Sequence, residues 1–242
     1  MTKRKIRLLS AILLSLGIGL AMQISFPMAQ SQETGNKLSM ALPPTAPSPG
    51  DNPATQEKIA LGKQLFFDPR LSGDNSKSCA SCHLPEKAFT DGLPRAKGSG
   101  GKELSRNTPT LLNAGFYSAY FWDGRAGSLE EQALFPIQSP DEMNQDLPAL
   151  EKELNAIPGY VAQFQAVFGS RITAANIAKA LAAFERTLVS RNSPFDLYLA
   201  GDKSAISEEA KSGWELFRDA AGCIAIVETP AGNDRQIDGR EI

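Results

Sequence analysis

Histidine is almost missing from this chain: 242 residues hold one, His83, and cysteine occurs only at positions 79, 82 and 223. A zinc site of Cys and His needs four ligands, so that scarcity excludes it. Three cysteines are also too few for a disulfide scaffold. No stretch alternates polar and apolar residues with period two, which argues against a β protein. Runs of like charge are missing as well, and 25 Lys and Arg against 27 Asp and Glu leave a formal charge of −2. Such a balance offers no surface for nucleic acid or an anionic membrane.

One long apolar run exists, from Leu8 to about Met22, behind Lys3, Arg4, Lys5 and Arg7. A basic start followed by an apolar stretch is the pattern of a secretory signal, and residues 1–29 are assigned to it. Ala21 and Ala29 both offer small-residue cleavage points; the competing reading is an uncleaved anchor. Cleavage removes four cations and no anions, leaving a body of charge −6 outside the cytoplasm, expected in the periplasm, with no membrane contact. Residues 30–52 are a Pro-rich arm, from the run of prolines after Ala41.

What the chain does contain is Lys77-Ser78-Cys79-Ala80-Ser81-Cys82-His83-Leu84. Cys-x-x-Cys-His is the attachment signature of a c-type haem. Two thiols one short turn apart both reach the vinyl groups along one porphyrin edge, and the adjacent histidine ligates iron. A redox Cys pair would follow a strand, and no strand-like run precedes this one. A disulfide across two intervening residues would be strained. The expectation is one covalent haem c on Cys79 and Cys82, with His83 on the iron.

The remaining pattern is helical. Asn52-Pro53 reads as a helix start with Asn as cap, and Ile59, Leu65 and Phe66 as its apolar face, stopped at Asp68-Pro69. Residues 86–106, with Gly92, Gly98, Gly100 and Gly101, read as a long irregular loop. A short helix is expected over Leu129–Leu134. Leu147, Leu150, Leu154 and Ile157 mark the next, then Tyr160, Phe164, Val167 and Phe168, then Ile177, Leu181, Phe184 and Leu188. Ser207 caps a last helix carrying Trp214, Leu216 and Phe217. The class is all-α with long loops, wrapped around a cofactor.

Several blocks together resemble one family. They are Leu61 to Ser72, the haem motif with Phe89-Thr-Asp-Gly92, Arg106-Asn-Thr-Pro-Thr-Leu-Leu-Asn113, Phe121-Trp-Asp-Gly-Arg-Ala126, Leu129-Glu-Glu-Gln132, Glu142-Met143, Ala183-Phe-Glu-Arg-Thr-Leu188 and Gly213-Trp-Glu-Leu-Phe217. From about Pro53 to Cys223 the chain is similar to the bacterial di-haem cytochrome c peroxidases. The resemblance implies a cytochrome c-like helical haem domain over 53–200, the peroxidatic one. It also implies the start of a second, incomplete domain over 201–242.

By the same resemblance Glu142 is the distal acid/base, Gln132 its partner over the iron, and Trp122 an electron relay between haems. Asn107 aligns with a side chain that binds calcium, and Arg106 and Arg125 are candidates for haem propionates or surface carboxylates.

Two departures stand out. The loop 94–105 holds no histidine, where classical members carry a distal one. Cys223 stands where a second motif should begin, but Ile-Ala-Ile-Val follows in place of a second cysteine and histidine. Lone Cys223 is open to intermolecular pairing, hence to a homodimer. The expected activity is reduction of hydrogen peroxide to water with electrons from a small soluble c-type cytochrome or cupredoxin. The alternatives are a mono-haem electron carrier with little turnover, or a relative that oxidises a protein side chain.

Overall fold

A computed structural model describes residues 42–220, so residues 1–41, with the signal and most of the arm, and 221–242, with Cys223, lie outside it. The helices are α1 (Gln56–Phe66), α2 (Leu129–Gln138), α3 (Leu147–Asn155), α4 (Pro158–Phe168), α5 (Ala174–Glu185), α6 (Pro194–Leu199) and α7 (Glu208–Glu215). Among the described residues there is no strand. Three single bridged pairs, Leu84 with Thr90, Lys97 with Glu103 and Tyr120 with Ala126, brace the loops instead.

The fold is organised on α5, whose Thr173 cap accepts from the Asn176 amide and whose residues from Ile177 to Glu185 are nearly all buried. Its many alanines are short, so neighbours come close on two sides. Helix α1 packs against one side and α2 against another, while α3 and α4 pair beside them. The closest point is Gly62 on α1, where a Cβ would lie 1.9 Å from the Ala180 carbonyl oxygen. Phe66 closes the core next to Phe184, ring centroids 5.2 Å apart, and also meets Phe89, 6.2 Å away in the loop after the haem motif. Full burial of such a ring contributes about 1.5–3 kcal/mol. The same contact ties the core to the motif's loop.

Four sequence expectations change. Asn52 is not a cap: α1 starts later, on Thr55, whose hydroxyl accepts from the Lys58 amide. Asn52 is instead fully buried, donating to Glu130 Oε1 (2.6 Å) and to the Lys179 carbonyl (3.0 Å) while accepting from Lys58 Nζ (2.8 Å). Helix α2 runs past Leu134 and through Pro136, because a proline in the last turn removes one bond only and Ile137 behind it is fully buried. Ile157 and Leu188 share the apolar pattern but fall just outside the helices, Ile157 as the residue preceding Pro158 of α4. Trp214 lies in α7 as expected under the Ser207 cap, whereas Leu216 and Phe217 belong to a π turn, Leu216–Ala220.

Candidate functional site

Cys79–Ser81 form a single 3₁₀ turn, with the Cys82 and His83 amides both donating to the Cys79 carbonyl, at 3.2 and 2.9 Å. This winding carries the two thiols and the imidazole around one short loop. Both thiols are free. Burial pushes the Cys79 thiol up to about 12 and raises Cys82 as well, the Lys77 charge working against it there.

His83 Nδ1 lies 2.9 Å from the Phe89 carbonyl oxygen. A carbonyl can only accept, so Nδ1 carries the proton and Nε2 keeps its lone pair for a metal. Burial lowers the His83 pKa, with the Phe89 and Pro109 carbonyls opposing, and so favours the neutral ring that a ligand must be. The Phe89 carbonyl is aimed by strained backbone: Ala88 (φ 54) and Phe89 (φ 58) are both left-handed. Each costs about 1–2 kcal/mol without a glycine. Two free thiols with an oriented, neutral imidazole fit a covalent haem and a single proximal nitrogen.

Gln132 and Glu142 come from α2 and the turn beyond it. Leu129, Ala133 and Ile137 face the core, which leaves Gln132, Pro136 and Ser139 along another face. The turn folds back onto that face: the Glu142 amide donates to the Ser139 carbonyl (3.0 Å) and the Met143 amide to the Pro136 carbonyl (3.1 Å). Glu142 is thereby held against the C-terminal end of α2, the helix that carries Gln132. It is half-buried, and burial raises its pKa, the Ser139 side chain and the Arg125 charge opposing. Its charge is felt at Cys82, so the carboxyl and the motif belong to one region. Met143, next in sequence, is buried in the hydrophobic core, so its thioether is committed to packing.

Trp122 is 58% exposed, with the Arg106 guanidinium 6.0 Å from its ring centre. Arg125 pairs with Asp123 (2.9 Å) and lies over Phe121, 3.7 Å from the ring centre. Asn107 is exposed, and among the described residues no group of three or more His, Cys, Asp or Glu is arranged to hold a metal ion.

Sequence reasoning missed three features. The Phe89 carbonyl carried no signal, since its role depends on a backbone twist at non-glycine residues. Glu185, inside the Ala183–Leu188 block, is buried with an unpartnered Oε2, and burial lifts its pKa to about 8. Arg186 next to it makes a two-point ion pair with Glu130 at 2.7 and 2.9 Å, the same carboxylate that Asn52 reaches. Only the polar character of Asn52, Glu130 and Arg186 inside apolar segments could have flagged that cluster.

A helical chain that wraps a Cys-x-x-Cys-His turn around an oriented imidazole has a cytochrome c-like fold. Within that class the chain belongs to the di-haem cytochrome c peroxidase family, whose description "Di-haem cytochrome c peroxidase" matches residues 56–204. The methylamine utilization protein MauG of Methylorubrum extorquens is 51% identical over 189 residues, covering 77% of this chain and 54% of that protein. The cytochrome c551 peroxidase of Pseudomonas aeruginosa is 40% identical over 222 residues, 89% of this chain and 64% of that one.

Among solved structures, a MauG-like protein associated with microbial copper homeostasis superposes with a TM-score of 0.69 at 33% identity, over 83% of this chain and 59% of that one. The diheme peroxidase BthA of Burkholderia thailandensis gives 0.61 at 29% identity, over 76% and 51%. The chain spans about half to two-thirds of the length of these relatives. The family is one of c-type haem proteins, and the motif's donor set is in keeping with it.

Proposed function

We propose that the chain carries the peroxidatic haem domain of a periplasmic peroxidase, over residues 53–200, with a following domain opening near residue 201. The overall reaction takes hydrogen peroxide, two protons and two electrons to two waters. The electrons come from a small soluble c-type cytochrome or cupredoxin. A bound haem supplies the iron that receives peroxide and the electrons that split its O–O bond.

The protein's own groups do the rest. Cys79 and Cys82 fix the ring through thioethers, and His83 presents Nε2 while its Nδ1–H stays on the Phe89 carbonyl. Glu142 takes the proton from the inner peroxide oxygen and delivers it to the outer one, so that water leaves in place of hydroxide. Gln132 orients the peroxide without titrating. Trp122 lies on the route by which electrons enter.

The observation that carries this reading is Glu142 itself. It is a half-buried carboxyl with a raised pKa, folded back onto the end of α2 and within electrostatic reach of Cys82. A simple electron carrier needs no such acid. The test is Glu142→Gln, which should retain the haem and the fold but slow the stopped-flow reaction with peroxide by roughly 10²–10⁴-fold. Gln132→Ala should cost less. A Glu142→Gln protein that reacts as fast as the parent removes the assignment. The reading as a mono-haem carrier with little turnover rests on a different observation, the single Cys-x-x-Cys-His motif in this sequence.

A further inference from the structure

The segment that bears the haem motif is gripped at both ends by one turn, residues 139–145, and each grip is made at a glycine. Before the motif, the Gly73 amide donates to the Met143 carbonyl at 2.9 Å, and a Cβ on Gly73 would lie 2.2 Å from the Asn144 carbonyl oxygen. After it, a Cβ on Gly98 would lie 1.8 Å from the Asp141 carbonyl oxygen, and the next amide, Ser99, donates to that oxygen at 2.9 Å.

Neither glycine has a positive φ, so conformational freedom is not the reason for it. Close approach of backbone to backbone is. Real Cβ atoms do not tolerate such distances from a carbonyl. The exposed ion pair between Lys102 and Asp141 adds to the second grip, but such pairs contribute about 0–1 kcal/mol.

Glu142 is the residue between the two grips. Its neighbours Asp141 on one side and Met143 and Asn144 on the other are held by the flanks of the motif, while its own side chain is held by neither. We propose that Gly73 and Gly98 act as a two-point clamp that fixes the position of the Glu142 carboxyl relative to the haem-bearing segment. They are positioning residues acting through Glu142, and the inference rests on the reading of Glu142 as the proton-transferring group. Backbone-to-backbone contact sets the spacing more tightly than side chains can, because it involves no rotamers. A displacement of an ångström at a reacting group costs about 10²-fold in rate.

The test uses haem-loaded Gly73→Ala and Gly98→Ala, checked for haem by intact mass. Each should react with peroxide about 10- to 100-fold more slowly than the parent. Each should also shift the pH profile of that reaction and change the affinity of the ferric protein for cyanide. In a Glu142→Gln background, Gly98→Ala should add little to the loss in rate.

A full additional loss in that background would overturn the proposal, as would variants matching the parent in rate, pH profile and cyanide affinity. If Glu142→Gln leaves the rate unchanged while Gly98→Ala alters cyanide affinity, the clamp stands and the role of Glu142 falls. Should the alanine variants fail to fold, hydrogen exchange in the parent decides. The Gly73 and Ser99 amides should be protected despite lying in loops, and rapid exchange at both would overturn the clamp.

Discussion

Glu185 is the one residue among the described residues whose side chain has a buried oxygen with no hydrogen-bond partner. Burial raises its pKa from 4.5 to about 8, with the Arg186 charge opposing and Glu130 adding to the rise. The folded state therefore holds a proton that the unfolded chain releases between those values. Stability is full below about pH 4.5 and declines as pH rises to 8, by up to about 1.4 kcal/mol per pH unit. Glu185→Gln removes that dependence. Denaturation of the haem-loaded protein at pH 5 and pH 8 should show the variant gaining on the parent at the higher pH. Parallel profiles would mean that the carboxyl is ionised throughout. The site's other residues divide cleanly by legibility. Cys79, Cys82 and His83 announce themselves by spacing, whereas Phe89 matters through a carbonyl every residue possesses and Gly73 and Gly98 through a Cβ they lack, and no local pattern reports which backbone they approach.

At the scale of elements, the packing of α1 on α5 depends on Gly62, and that of α4 does not depend on Gly159. A Cβ at Gly62 meets the Ala180 carbonyl, while at Gly159 nothing lies within 4 Å. Gly62→Ala should therefore destabilise by about 1–3 kcal/mol, as an overpacked interface does. Gly159→Ala should stabilise by up to about 1 kcal/mol through helix propensity. Urea denaturation of the two variants, read as a pair, checks this; equal effects would mean the helices can part without cost. The helices were legible because their apolar residues recur every three to four positions. Their ends were less so. Asn52-Pro53 has the chemistry of a cap, but Asn52 serves as a buried bridge to Glu130 and Lys58, and α2, expected to end at Leu134, runs on through Pro136 in a final turn that packing at Ile137 sustains.

For the molecule as a whole, the sequence holds one Cys-x-x-Cys-His, so these 242 residues expressed with a haem-attachment system should gain one haem by intact mass. Reaction with stoichiometric peroxide should be present, and steady turnover with a reduced cytochrome donor poor, because a lone haem leaves the second oxidising equivalent only the porphyrin or Trp122. Two haems, or brisk turnover, would contradict this. No helix among the described residues is long and apolar enough to cross a membrane.

What the sequence determined by itself was the helical class and the motif, which rest on periodicity and spacing along the chain, and the family, which rests on the resemblance of its ordered blocks. What only the tertiary structure decided was how the pieces face one another. The Phe89 carbonyl settles which His83 nitrogen is free, and the return of residues 139–145 to α2 and to both flanks of the motif settles where Glu142 stands. The first depends on a left-handed backbone twist six residues beyond the histidine and the second on backbone atoms brought together across tens of residues, and local pattern carries no record of either.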